Sequence, residues 1–310
     1  MDPRRQPVPD VHATTTDLSG PGRPQARVAA ARAAGGQSSE PRRYPPPGHF
    51  LRHLRLSVDP RTEGTIEGAM PVLPDLCDHT GALRLGAVAA FADYALGVLS
   101  THAGAPDWIA THDLGVQLLG PARGPEVVAS GSLVRSGRNT IVSELVIRDL
   151  VGTVVGAATA TYSRLARVGP TGPTSRVLQR VDLAEADEAR RTPLDRYLGF
   201  EVDADAGELR FEHLPHLRNS TGAIQGGVIG LAMEWLAAEM AGRALGRPGP
   251  GRTLQLQVYY LSQGRKPPFV VRDEVLGRDD GPAGESLHRL ELVEAPTGRL
   301  LAMGTARASG

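Results

Sequence analysis

The sequence predicts an α+β protein made of two copies of one unit, each a long helix enclosed by an antiparallel sheet. The first observation behind this is an internal repeat in a chain of 310 residues. The segment from Asp78 to Tyr94 lies over the segment from Asn219 to Trp235 without a gap. Thr80-Gly81-Ala82 matches Thr221-Gly222-Ala223, Gly86 matches Gly227, and Asp93 matches Glu234. A period of roughly 140 residues is too long for a solenoid and suits a duplicated domain. The second observation is the order of patterns in each copy: strand, Gly-rich loop, apolar helix, then about four strands. The third is the helix itself, apolar on nearly every side and so expected to be covered all round.

The elements follow from the N-terminus. Residues 1–45 are rich in Pro, Arg, Ala, Gly, Ser and Thr, lack apolar periodicity, and are expected to form a disordered tail. The first domain is expected over 46–167. Alternating stretches at 64–72 and 207–214 predict the early strand of each copy, and the helices are expected at about 82–100 and 223–244. Strand patterns follow at 113–119, 126–135, 140–148 and 153–164, and again at 253–261, 268–276, 285–294 and 299–308. Gly/Pro punctuation marks a linker with an acidic connector helix over 168–191, and the second domain runs over 192–310.

Composition narrows the function class. The 34 basic and 34 acidic residues cancel, which gives no global attraction to nucleic acid or an anionic membrane. No apolar run reaches the roughly 20 residues that span a bilayer, and the N-terminus lacks a secretory apolar core. Cys77 is the single cysteine and fits a reducing compartment, so a cytoplasmic protein without nucleic-acid or membrane partners is expected. The His49/His53 and His213/His216 pairs have spacings a metal could use, but two ligands do not make a site and none is expected.

Two carboxylates stand out. Asp93 and Glu234 each interrupt an apolar helix, where an unpaired charge is costly, so each is either paired structurally or tuned for catalysis. Ahead of Glu234 lies Asn219, then Gln225-Gly226-Gly227; ahead of Asp93 lie Asp78 and Arg84-Leu85-Gly86. This arrangement of Asn, then Gln-Gly-Gly, then a helix acid resembles the PaaI-type acyl-CoA thioesterases of the hotdog fold. The resemblance covers roughly residues 46–165 and 192–310. It implies two hotdog domains, each a central helix wrapped by a curved antiparallel sheet, paired as an intramolecular pseudo-dimer. Gln225 stands where His is commoner, and the first copy keeps the spacing but changes the loop chemistry.

The implied activity is hydrolysis of a medium-chain or aryl acyl-CoA without a cofactor. Gly226 at the helix N-terminus, helped by Asn219 or Gln225, would hold the carbonyl oxygen; the alternative is that Gly226-Gly227 only lets the helix pack closely. Eight residues separate Gly226 from Glu234, about 12 Å along a helix, so one copy's acid and loop do not share a carbonyl. In the family the acid of one unit faces the loop of the other. Carried over, this pairs Asp93 with Asn219, Gln225 and Gly226 in a working site, and Glu234 with Asp78, Arg84 and Leu85 in a decayed one. Asp93 would serve as general base or as nucleophile. Gly227 is expected against the substrate, and Arg138, Arg265 and Lys266 are candidates for the coenzyme A phosphates. Arg84 reads as a salt-bridge partner or as a phosphate anchor. The alternatives to a thioesterase are a non-catalytic acyl-CoA-binding hotdog protein and a hydratase or dehydratase. Further assembly into a homo-oligomer of double units is expected from the resemblance.

Overall fold

A computed structural model describes residues 44–62, 64–165, 179–183, 192–279, 281 and 284–310. The tail expected over 1–45, apart from Tyr44 and Pro45, lies outside the described residues, as does most of the linker expected over 168–191.

The first half runs α1 (Phe50–His53), β1 (Ser57–Thr62), β2 (Thr65–Pro71), α2 (Leu85–Gly104), β3 (Trp108–Leu118), β4 (Glu126–Ser136), β5 (Thr140–Asp149) and β6 (Val154–Leu165). Within the expected linker, β7 (Val181–Asp182) pairs with β1. The second half repeats the order: α3 (Leu194–Leu198), β8 (Glu201–Asp203), β9 (Glu208–Phe211), α4 (Gly226–Ala244), β10 (Arg252–Tyr260), β11 (Phe269–Asp279), β12 (Glu285–Glu294) and β13 (Arg299–Ser309). All strands join one antiparallel sheet, ordered β7-β1-β2-β4-β5-β6-β3-β10-β13-β12-β11-β9-β8. Reading outward from the β3–β10 seam gives the same order on both sides, so the halves are related by a pseudo-twofold axis. Equivalent bulges, between Thr111 and Asp113 in β3 and between Thr253 and Gln255 in β10, fix the correspondence of the two strands.

Both central helices start three residues later than their apolar patterns suggest, because a polar turn claims those residues first. Asp78 Oδ1 accepts from the Thr80 N–H, the Thr80 hydroxyl and the Ala82 N–H. Asn219 Oδ1 makes the same three bonds with Thr221 and Ala223. Such side-chain bonds offer the backbone an alternative to helix. The turn needs a left-handed residue, supplied by Gly81 (φ 82°) and Gly222 (φ 78°).

α2 and α4 run antiparallel in the interior, in contact along a row of small residues. A Cβ on Gly86 would lie 3.0 Å from the Leu231 Cα, and one on Gly227 would lie 2.8 Å from the Ala90 Cα. The helices approach this closely because those side chains are absent, and one apolar core continues through both halves. Within the second half, Asp273, His288 and Ser286 form a buried chain: His288 Nδ1 lies 2.9 Å from Asp273 and Nε2 lies 2.8 Å from the Ser286 hydroxyl. All three interior polar groups are therefore partnered.

Candidate active site

The antiparallel helix pair sets each helix acid against the N-terminus of the opposite helix. Asp93 of α2 reaches the start of α4. Gln225 caps α4 with its own side chain: Oε1 accepts from the Gly227 N–H and, at 3.3 Å, from the Val228 N–H. Two backbone donors on that oxygen fix the amide orientation and turn its NH2 outward. Gln225 Nε2 then donates to Asp93 Oδ2 at 2.8 Å, while the Thr111 hydroxyl on β3 donates to Oδ1 at 3.1 Å.

Asp93 is buried, with 6% of its surface exposed. Burial pushes its carboxyl up to about 6, against the opposing pull of hydrogen bonds from Thr111 and Gln225 and of the nearby Gly227 N–H dipole. Gly226, first residue of α4, lies directly beside the acid: a Cβ there would sit 3.0 Å from Asp93 Oδ2. Its N–H belongs to the first helical turn, where intrahelical acceptors are missing. With Gly227 and Val228 bonded to Gln225, the Gly226 N–H has no acceptor among the described residues.

Tyrosines complete the surroundings. Tyr260 donates its hydroxyl to the Gly226 carbonyl at 3.2 Å, and Tyr162 donates to the Asp93 carbonyl at 3.3 Å. Burial raises the Tyr44 phenol, with further contributions from the Asp93 and Tyr94 charges.

The pseudo-symmetric arrangement is built differently. Glu234, 1% exposed, meets Arg84, whose Nε donates to Oε2 at 3.2 Å. The Arg84 guanidinium carbon lies 3.7 Å from the centre of the Trp235 ring, a stacked cation that fixes the side chain further. Of the two readings of Arg84, the ion pair is the one realised. Leu85 occupies the position of Gly226, and α2 has no side-chain cap. The bulges make Thr253 the counterpart of Thr111, yet the buried Thr253 hydroxyl has no partner among the described residues.

Several expected site residues lie elsewhere or act differently. Asn219 Oδ1 is engaged in its own turn, the same task Asp78 Oδ1 performs. Gly227, expected against the substrate, is instead packed on Ala90, and its N–H bonds to Gln225. Arg265 is committed to the Thr221 carbonyl and the Gln263 side chain. Lys266 and Arg138 are exposed, and the Lys266 backbone N–H bonds Glu294. Thr111 and Tyr260 were not singled out from the sequence. Only the alignment of Thr111 with Thr253 could have pointed to the first, and that becomes visible with the bulges.

The thioesterase superfamily matches residues 80–156, the part of the first half from the polar turn to β6. Among solved structures, the TesB protein of Mycobacterium avium subsp. paratuberculosis superposes with a TM-score of 0.58 at 14% identity, covering 84% of this chain and 97% of that one. A putative thioesterase from Novosphingobium aromaticivorans gives 0.54 at 16% identity, covering 81% and 97%. A protein described as having a hot dog fold, from Alicyclobacillus acidocaldarius, gives 0.54 at 16% identity, covering 79% and 93%. The chain has the hotdog fold. Each of these single chains overlays about four-fifths of this one, so the likeness extends over both hotdog halves. No curated protein matches the sequence. Among the described residues no helix is long and apolar enough to cross a membrane.

Proposed function

We propose that this double-hotdog protein is an acyl-CoA thioesterase with one working site, formed by Asp93 and Thr111 of the first half and Gln225 and Gly226 of the second. The observation that carries the reading is a buried carboxylate, tuned to about 6, beside an N–H at a helix N-terminus that no described residue uses. Thioester hydrolysis needs those two groups at one point: a base for water and a donor for the oxyanion.

In this reaction the thioester carbonyl oxygen sits on the Gly226 N–H, at the positive end of the α4 dipole. Thr111 and Gln225 each occupy one lone pair of Asp93, which fixes the carboxylate plane and leaves other lone pairs for water. Asp93 takes a proton from water as the oxygen attacks the carbonyl carbon. The oxyanion collapses, the C–S bond breaks, and the proton passes from Asp93 to the departing thiolate. A nucleophilic course, with Asp93 attacking directly to give an anhydride that water then opens, uses the same groups.

The Glu234 arrangement lacks the parts. Its acid is paired with Arg84, Leu85 replaces the glycine, and the Thr253 hydroxyl does not reach the acid. A medium-chain or aryl acyl group is the proposed substrate. Homo-oligomerisation of double units and a cytoplasmic location belong to the same proposal, as do domain limits of 46–167 and 192–310.

The test is thiol release from a panel of acyl-CoAs by the wild type, Asp93→Asn and Glu234→Gln. Loss of turnover in Asp93→Asn with retention in Glu234→Gln supports the single site. Binding of acyl-CoA without thiol release by the wild type would replace hydrolysis with a binding role.

A further inference from the structure

We infer that Tyr260 is a positioning residue for the working site: its hydroxyl holds the first turn of α4 in the register that aims the Gly226 N–H. The inference rests on the proposed role of Gly226 and adds a residue that touches neither substrate nor acid. Tyr260 donates to the Gly226 carbonyl at 3.2 Å. In a regular helix that carbonyl already receives the N–H four residues on, so the phenol is an additional bond and not the rescue of an orphan acceptor. An additional bond to the first residue of a helix restrains the end that frays most readily.

The anchor is rigid and keeps its proton. Tyr260 ends β10, the strand that pairs with β3 at the centre of the sheet. Burial raises its phenol well above the ordinary value, and the nearby charges of Asp93 and Asp113 raise it further, so it remains a donor across the working pH range. A peptide carbonyl accepts only, so a deprotonated phenol could not make this bond.

The chain contains its own comparison. Counting seven residues from the equivalent bulge threonines, Tyr260 corresponds to Leu118 as Gly226 corresponds to Leu85. At the end with the tuned acid the pair is glycine with tyrosine; at the end with the ion-paired acid it is leucine with leucine. The hydroxyl is present where a helix N–H must be aimed and missing where a side chain fills the place.

Tyr260→Phe removes the hydroxyl and keeps the ring. We expect kcat per folded molecule to fall about 10–100-fold, because a misaimed oxyanion donor costs somewhat less than a deleted one. KM should stay within about twofold and Tm within a few degrees, since one neutral hydrogen bond is a small part of stability. In a Gly226→Pro background, which deletes the N–H but keeps the carbonyl at the first helical position, the same substitution should have no further effect on the residual kcat, because Tyr260 acts by aiming that N–H. Full kcat in Tyr260→Phe, with Asp93→Asn inactive, overturns this inference alone. Independent, multiplicative losses in the double variant also overturn it. An inactive wild type or a fully active Asp93→Asn overturns the proposed reaction and this inference with it.

Discussion

Gln225 Nε2 and Asp93 Oδ2 are 2.8 Å apart although 132 positions separate the residues in the chain. One comes from the loop before α4 and the other from the middle of α2, so the bond exists only when the halves are paired. Gln225→Glu replaces the donor with a second carboxylate facing Asp93. We expect thiol release to fall on the order of 100-fold at neutral pH, with partial recovery towards acid as the pair shares a proton. Steady-state rates from pH 5 to 8 measure this, and an unchanged rate at pH 7 would remove Gln225 from the site.

The rate should follow the ionisation of Asp93. As a base or nucleophile it works deprotonated, so kcat/KM should rise through about pH 6 and level off above it. Thr111 lowers the carboxyl through its hydrogen bond. Thr111→Val should therefore move the acid limb to higher pH and reduce the plateau about tenfold. A limb that moves to lower pH contradicts the assignment.

Stability should respond to pH in the opposite sense. The folded-state value of Asp93, about 6, lies above its ordinary 3.8. Between those values the native state binds more protons than the unfolded chain, so this residue's contribution to stability declines as pH rises from about 4 to 6. The decline is on the order of 3 kcal/mol and leaves a cost at neutral pH. Asp93→Asn should accordingly be more stable than the wild type at pH 7.5, on the order of 1–2 kcal/mol, and not at pH 4. Urea unfolding at both pH values tests the sign.

Arg84 and Glu234 should show the reverse pattern, importance for folding without importance for turnover. Removing the guanidinium leaves a carboxylate with 1% exposure and no counter-charge. Arg84→Met should cost about 3–5 kcal/mol, and Arg84→Met combined with Glu234→Leu should recover most of it. Thiol release per folded molecule should remain near wild type in both. If the double variant is no more stable than the single one, the ion pair is not the source of the loss.

Adjacent glycines should divide into two phenotypes. A Cβ at Gly226 meets the Asp93 carboxylate, whereas one at Gly227 meets the Ala90 backbone across the helix interface. Gly226→Ala is expected to cut the rate at least tenfold with little change in Tm. Gly227→Ala should lower stability by about 1–3 kcal/mol through overpacking. Equal effects of the two on both measurements would contradict this division.

Much of this architecture is legible in the residues. The repeat register sets Asp93 against Glu234 and Gly86 against Gly227; rise per residue along a helix keeps each acid from its own loop, and the family resemblance implies the opposite one. What escapes is information carried by partners distant in the chain. Thr111 reaches Asp93 because a bulge sets the strand register, and no local pattern announces it. Tyr260 looks like any strand tyrosine until α4 is placed above it. Asn219 and Asp78 look chemically different, yet each presents the same oxygen to the same turn, so only the bonding pattern reveals their equivalence. The helix starts are offset for the same reason, since apolar periodicity does not register a side chain competing for backbone donors. The Val181–Asp182 strand lies in a stretch whose composition reads as linker.

The seam between β3 and β10 pairs what would otherwise be two subunits, and here both belong to one covalent chain. Two identical subunits share every substitution: an arginine at the cap position would silence both clefts at once, and a leucine in place of the glycine would block both. Fusion lifts that restriction. One cleft can exchange turnover for a stabilising ion pair while the other keeps its glycine, its amide and its acid. Handedness of function follows from the proposed site, in which the N-terminal copy supplies the acid and the C-terminal copy the cradle. Exchanging the order of the two copies in the gene would preserve the pairing, whereas a homodimer of the N-terminal copy alone would set Asp93 against Arg84 and Leu85 and contain no complete cleft.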